Sequence, residues 1–361
     1  MSGRASTNID NKQTNLNNPI YSKNVESYLE NNGGTKQLAI CNTCRTCLAI
    51  PTNLKENVEY IVAAVLFNKD DKVLLIQESK QSCHGKWYLP AGRVELGENL
   101  CDAIKREVLE ESGYVFTPTG VVSVEFSGSK WMRFLFTGII NSGDLKKVPD
   151  KESLQAEWIK DMEAKTLRHS DIIALVDLTR NYLKNHRSSG INVRVLPTLS
   201  KQSLQVYRML IIFETENQSY ALMIDEKTGS DLPTACFCYE EYTPSKLAMK
   251  YLNKCVATDS GALKLMFENP KVFGIEHFPD KRLVQKNQTP KYLDGMVINF
   301  IITCKSSNSN KVEPPRLRVN ENVNWAPIVK SSKLFNLVKR HSTYGAVIID
   351  LKSNKTSISK S

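Results

Sequence analysis

Between Gly92 and Tyr114 the chain reads GRVELGENLCDAIKREVLEESGY, and the spacing of its glycines and acids constrains this protein more than any other stretch. Gly92, Glu98, Arg106, Glu107, Glu110, Glu111 and Gly113 stand at the offsets G-x5-E-x7-R-E-U-x-E-E-x-G-U, with Val108 and Tyr114 at the two bulky U positions. Asn99 is placed to cap a helix, with Asp102 in its first turn. The pattern predicts a helix from Leu100 to Ser112, stopped by Gly113. Leu100, Ile104 and Val108 form its core-facing stripe at i, i+4 and i+8. Glu111 falls on that stripe, Glu107 lies at its edge, and Glu110 extends the same side one step further.

Carboxylates on the side of a helix that should be apolar need an explanation. Two unit charges about 4 Å apart repel by roughly 4 kcal/mol at an effective dielectric of 20, and burial adds to the cost. Glu-rich helix faces are usually solvated, but a solvated face does not fall on the apolar stripe. A divalent cation relieves both costs. With oxygen ligands only, the expected ion is Mg2+, with Mn2+ as a substitute, and not zinc.

The flanks read as an α/β domain. Tyr60–Phe67 and Lys72–Gln77 are predicted as two strands of a hairpin across the polar turn Asn68–Asp71. Trp87–Gly92 leads into the helix segment. Gly120–Phe126 and Trp131–Ile140 read as further strands, and Glu157–Ile159 as a closing strand. Thr166–His186 reads as a last helix, with Leu167, Ile172, Ile173, Leu175, Val176, Leu178 and Leu183 apolar. This unit is placed at residues 56–187, an ordinary size for one domain.

The spaced pattern is that of the Nudix box, and the chain resembles the Nudix hydrolases. KVLLIQES, GKWYLPAGRVELGE, REVLEES, WMRFLF, ESLQAEW and, far downstream, VEPPRLRVNENVNW are similar to the animal 8-oxo-dGDP phosphatase branch of that family. The resemblance implies an α/β/α sandwich with a mixed sheet. It implies that the Gly92 carbonyl and the Glu107, Glu110 and Glu111 carboxylates hold the metal. Glu107 would also orient or activate water, Arg106 would hold Glu107, and Glu98 would support that network. The implied reaction is Mg2+-dependent conversion of oxidised guanine nucleoside diphosphates, 8-oxo-dGDP and 8-oxo-GDP, to the monophosphate plus phosphate. ADP-ribose hydrolases of the family typically carry a proline about fifteen residues past the box, and none occurs here between Pro118 and Pro149. Diadenosine polyphosphate hydrolases place a tyrosine slightly further on, and none occurs between Tyr114 and Tyr182. For the base pocket the expected residues are Val73, Gln77, Trp87, Trp131 and Arg133. An amide suits a purine edge and an indole stacks on a base. The competing reading packs Trp131 in the core and leaves Arg133 as a surface charge.

Length allows two domains, and residues 204–350 echo the first, after a linker at 188–203. Val206–Phe213 and Tyr220–Ile224 resemble the first strand pair, and Leu232–Ala235 sits where Leu89–Gly92 sits. Thr243 is placed to cap a helix from Pro244 to Cys255. Val272–Phe278, Met296–Cys304 and Asn324–Trp325 follow as strands, and Leu334–His341 as a closing helix. We expect a degenerate Nudix-like unit. Its helix, PSKLAMKYLNKC, carries no carboxylate and would hold no such metal. Homodimer formation, substrate covering and partner binding are the roles open to it.

Residues 1–55 are polar and aperiodic and are expected to be mostly disordered, and 351–361 reads as a polar tail. Cys41, Cys44 and Cys47 read as a reduced thiol cluster rather than a zinc site, because no second pair follows at finger spacing. Nine cysteines, an odd number, without a signal-peptide pattern lead to an expected cytoplasmic, reducing location. The longest apolar run, Tyr60–Phe67, is far too short to span a membrane. The net charge of +10 is spread over tails and both units, which argues against a nucleic-acid partner and suits capture of an anionic nucleotide. The alternatives are a Nudix pyrophosphatase acting on an NDP-sugar, ADP-ribose or capped RNA, and a non-catalytic nucleotide sensor or scaffold.

Overall fold

The computed structural model describes residues 52–128, 130–189, 193, 195–196, 204–226, 229–236, 243–257, 265–277, 279, 294–306, 313–318 and 322–351. The first half carries β1 (Glu59–Ala64), β2 (Val73–Glu78), β3 (Trp87–Tyr88), β4 (Ala91–Arg93), α1 (Leu100–Ser112), β5 (Tyr114–Phe126), β6 (Trp131–Gly143), β7 (Ser153–Ile159) and α2 (Asp171–Ser189). The second carries β8 (Val195–Leu196), β9 (Gln205–Glu214), β10 (Ser219–Glu226), β11 (Gly229–Asp231), β12 (Thr234–Cys236) and α3 (Pro244–Cys255). It continues with β13 (Leu265–Phe267), β14 (Lys271–His277), β15 (Met296–Ser306), β16 (Val323–Ile328), α4 (Lys333–Tyr344) and β17 (Ala346–Asp350).

The apolar run of β1 lies inside a mixed sheet, parallel to β6 and antiparallel to β4. That explains why it lacks the polar alternation of a half-exposed strand. The expected hairpin forms only at its turn end, where Asn68 N–H donates to Lys72 O and Leu74 N–H to Leu66 O, both at 3.0 Å. Beyond the Phe67–Val73 bridge the two segments part, and β2 belongs to a separate three-stranded sheet, ordered β3-β2-β7. The strands of the α/β unit therefore fall in two sheets, with the box helix packed on both β1 and β7. β5 starts at Tyr114, earlier than expected, because three register shifts against β6 absorb the irregularity around Pro118. α2 starts at Asp171 and not Thr166. Residues 166–168 are held extended beside β3, where Trp87 N–H donates to Thr166 O and Arg168 N–H to Trp87 O.

The second half repeats this pairing order register by register. β9 is parallel to β15 and antiparallel to β12, with Tyr207 opposite Ile298 and Ala235. In the first half Val62 is opposite Phe134 and Gly92 in the same way. Ala64 N–H donates to Pro90 O at 3.0 Å, and Met209 N–H donates to Pro233 O at 2.8 Å. Trp158 faces Leu74 across β7 and β2, and Trp325 faces Leu222 across β16 and β10. Helix α3 buries Pro244, Leu247, Ala248, Tyr251, Leu252 and Cys255. On α1 the same spacing buries Leu100, Ala103, Ile104, Glu107, Val108 and Glu111. Tyr251 and Cys255 thus occupy the places of Glu107 and Glu111. Thr243 precedes α3 in an extended conformation but makes no side-chain cap bond, and Pro244 marks the helix start instead.

The two halves share one core and one sheet of fourteen strands, ordered β11-β10-β9-β15-β14-β17-β5-β6-β1-β4 along its main path. The closing helix is not the last element. β17 follows it and lies between the two halves, antiparallel to β14 and parallel to β5. Thr52 and Leu54, read from sequence as part of the N-terminal segment, are buried, and Leu54 N–H donates to Asp294 Oδ2 at 3.1 Å. The 188–203 stretch holds the end of α2 and strand β8, which pairs with β14. Cys41, Cys44 and Cys47 lie outside the described residues. No described helix is long and apolar enough to cross a membrane.

Buried polar groups mark the seam between the halves. Tyr60 Oη donates to Asp294 O at 2.9 Å and accepts from Gln205 Nε2 at 3.0 Å. His277 stands edge-on to the Tyr60 ring, with centroids 5.7 Å apart, and neither of its ring nitrogens has a hydrogen-bond partner among the described residues. Burial pulls the His277 imidazole down from 6.5 to about 4. The unfolded chain takes up a proton in that window and the folded chain does not, so His277 erodes stability as pH falls from 6.5 towards 4. His277→Phe keeps a ring against Tyr60 and removes the titration. Its stability advantage over the parent should widen by about 2 kcal/mol between pH 7.5 and pH 5 in urea unfolding. A gap independent of pH would contradict this.

Candidate active site

Helix α1 forms as its ends dictate. The Asn99 side chain accepts from Asp102 N–H at 2.9 Å, and Gly113 adopts φ 82° while its N–H closes on Leu109 O at 2.9 Å. A Cβ on Gly113 would fall 2.3 Å from Asp144 O, so glycine is required both for the left-handed turn and for the close approach. Leu100, Ala103, Ile104 and Val108 then face the core. This rotation also buries Glu107 and Glu111, which are 7% and 2% exposed. Glu110 points to the more open side.

Arg106 organises the acids. Its Nε and Nη2 donate to the two oxygens of Glu98, both at 2.9 Å. Its Nη1 donates to Glu107 Oε1 at 2.7 Å and to Glu110 Oε2 at 3.1 Å, and Nη2 also donates to Arg93 O at 3.0 Å. The guanidinium thus ties three carboxylates of the box to the strand that carries Gly92. Glu111 accepts instead from Ala91 N–H at 2.9 Å.

The electrostatics leave an unmet demand for positive charge. Burial raises the Glu107 carboxyl, the Arg106 hydrogen bond and charge pull it back, and Glu110 pushes it up again. Burial holds Glu111 well above the ordinary carboxylate range, the Ala91 N–H opposes this, and the nearby Glu107 charge adds to it. Gly92 lies directly against this pair, and a Cβ there would fall 2.0 Å from Glu107 Oε1. Any side chain at residue 92 would occupy the space of the Glu107 carboxylate. Among the described residues no three His, Cys, Asp or Glu side chains converge to enclose an ion by themselves. A hard divalent cation does not need such an enclosure. Mg2+ is commonly held by one or two carboxylates, with water and substrate phosphate completing its shell. A buried all-oxygen pair beside an open backbone fits that ion.

Gly92 also lines a cleft of about 540 Å³, together with Ile61, Tyr88, Trp131, Arg133 and Asp171. Lys80, Arg93 and Arg168 give it a basic lining. Arg133 is buried in its wall. It donates from Nε to Glu125 Oε2 at 3.0 Å, from Nη2 to Asp171 Oδ2 at 2.8 Å and from Nη1 to Tyr88 Oη at 2.6 Å. Its guanidinium lies 5.8 Å from the Trp131 ring centre, and Arg168 lies 4.9 Å from that of Tyr88. Asp171 Oδ1 is buried and has no hydrogen-bond partner among the described residues.

Of the residues expected for a base pocket, the structure brings Trp131 and Arg133 to this cleft. Arg133 is 4% exposed and carries structural hydrogen bonds, so it is not a surface charge. Val73, Gln77 and Trp87 are not on its walls. Val73 is in the core. Gln77 donates to Gly85 O at 2.9 Å and accepts from Gln155 Nε2 at 3.0 Å. Trp87 is buried beneath the Lys165 ammonium, 4.6 Å from its ring centre. Sequence reasoning missed Tyr88, Asp171 and Leu351. Tyr88 stands in WYLPAG beside the chosen Trp87, and the alternation of a strand puts neighbours on opposite faces. Asp171 was hidden inside the overlong helix expectation.

Residues 59–176 match the family described as the NUDIX domain. The chain is 34% identical over 292 residues to the 8-oxo-dGDP phosphatase NUDT18 of Mus musculus, covering 78% of this chain and 83% of that one. With the Homo sapiens protein of the same name the identity is 34% over 298 residues, covering 80% and 86%. The putative nudix hydrolase 1 of Caenorhabditis elegans is 47% identical over 151 residues, covering 40% of this chain and 41% of that one. The complete box, the helix that presents it and these alignments together make the chain a member of the Nudix hydrolase family.

Proposed function

We propose that this Nudix hydrolase converts oxidised guanine nucleoside diphosphates, 8-oxo-dGDP and 8-oxo-GDP, to the monophosphate plus phosphate with Mg2+ as cofactor, Mn2+ substituting. The observation that carries the reading is the cleft that sets Gly92 and Arg93, at the start of the box, on the same walls as Arg133, Trp131 and Asp171. The likeness to relatives named as 8-oxo-dGDP phosphatases supports the same substrate class.

In this reading the Gly92 carbonyl, Glu107, Glu110 and Glu111 hold the cation. When bound, it neutralises phosphate oxygens and makes a water more acidic. Glu107 orients that water, and Arg106, fixed by Glu98, keeps the Glu107 carboxylate in one position. Catalysis is then positioning and charge stabilisation, as phosphoryl transfer requires. At the base, Trp131 offers a stacking face. Asp171 brings a carboxylate to the same cleft as an acceptor, and 8-oxoguanine presents an N–H at N7 where guanine presents a lone pair. Lys80, Arg93 and Arg168 favour the phosphate chain. Among the described residues Cys83, Cys101 and Cys304 are free thiols, and a reducing, cytoplasmic setting belongs to the same proposal.

The test is phosphate and monophosphate release from 8-oxo-dGDP, 8-oxo-dGTP, dGDP, ADP-ribose and capped RNA, with Mg2+ and with Mn2+. Preferential conversion of 8-oxo-dGDP is expected. Cleavage of ADP-ribose or cap with 8-oxo-dGDP untouched would overturn the substrate, and nucleotide binding without any turnover would favour the sensor. Glu107→Gln should lower kcat by about 10²- to 10⁴-fold with the fold retained, and unchanged turnover would sink the mechanism. Gly92→Ala should act the same way, because its methyl displaces the Glu107 carboxylate. Asp171→Ala should raise KM for 8-oxo-dGDP about tenfold or more while kcat changes little, the signature of lost uniform binding. A fall in kcat at constant KM would place Asp171 elsewhere in the reaction.

A further inference from the structure

We propose that the second half of the chain completes the substrate cleft of the first, through its last strand, and that Leu351 is a specificity-determining residue of that cleft. The inference rests on reading the cleft as the nucleotide site.

The path of the chain carries the argument. At Gly345, leaving α4, a Cβ would fall 2.7 Å from both His341 O and Val272 O, so a glycine lets the chain turn tightly past β14. β17 pairs with β14 only through Val347–Lys271 and Ala346–Val272. It then runs parallel to β5 from Val347 opposite Ser123 to Asp350 opposite Phe126. Leu351 N–H donates to Phe126 O at 2.9 Å and extends the strand to the cleft. There Leu351 shares the wall with Ile61, Trp131 and Arg133. Ile349 sits opposite Glu125, the carboxylate that holds Arg133. The same strand therefore covers the edge of β5 behind the Arg133 anchor and places an apolar side chain in the cleft. Leucine offers nothing to a phosphate. Beside Trp131 it defines the apolar boundary available to a flat base, and its size sets which bases fit.

The experiment uses the full chain with Leu351→Ala and Leu351→Trp. Steady-state kinetics are measured on diphosphates that differ only in base: 8-oxo-dGDP, dGDP, dADP and dCDP. Equilibrium binding of the fluorescent analogue mant-dGDP, without metal, is measured in parallel. We expect kcat for the best-cleaved diphosphate to stay within about twofold, KM to shift about tenfold, and the shift to differ between bases. The dissociation constant for mant-dGDP should move by a similar factor. Unchanged melting temperatures would exclude a purely structural effect. If both variants keep the parental KM values, base preference and mant-dGDP affinity, the inference is overturned. Should the parent protein prefer an unoxidised base, the proposed substrate fails while the variants still decide the role of Leu351. Should the parent cleave none of them, the mant-dGDP comparison decides it alone.

Discussion

The Arg106 guanidinium is the contact on which the site depends. Glu107 and Glu111 are buried on the core side of α1, where uncompensated carboxylates are unstable. Arg106 supplies one positive charge and spends every nitrogen on Glu98, Glu107, Glu110 and the Arg93 carbonyl. It joins helix, preceding loop and β4 in one network, so the fold of the loop and the placement of the acids are the same fact. One arginine does not satisfy all the acids. The remaining demand is met by the cation in our proposal, which makes the helix both a structural element and half of a metal site.

The second half shows what the same architecture becomes without that demand. Tyr251 and Cys255 stand where Glu107 and Glu111 stand, and Lys254 follows the phase of Glu110. Neutral side chains at the two buried places leave a face that packs as an ordinary apolar stripe. This half also contributes to the assembly. Its β17 bridges the two halves within the large sheet, and its Asp294, Gln205 and His277 surround Tyr60 at the seam.

The parts legible in sequence were those set by local rules. The bounds of α1, its cap at Asn99 and its stop at Gly113 follow from side-chain chemistry within a few residues. The second half was legible as an echo because its strand order and its Trp325 mirror the first. Long-range pairing was not legible. β1 and β2 look like a hairpin, but the polar turn between them gives no sign that they join different sheets. α2 looked longer because Leu167 fits a helical stripe, while β3 had claimed its backbone. The cleft was half legible. Trp131 and Arg133 were found by residue type, but Asp171 and Leu351 reach the cleft from other elements, and their being there is a property of the assembled chain.

In our proposal the box acids form a cation site and the second half has no equivalent. A titration of Mn2+ followed by electron paramagnetic resonance, with a non-hydrolysable nucleoside diphosphate analogue present, tests it most directly. The account predicts binding that is abolished by Glu111→Gln and unaffected by Cys255→Ser. Undiminished Mn2+ binding in the Glu111→Gln protein would contradict it.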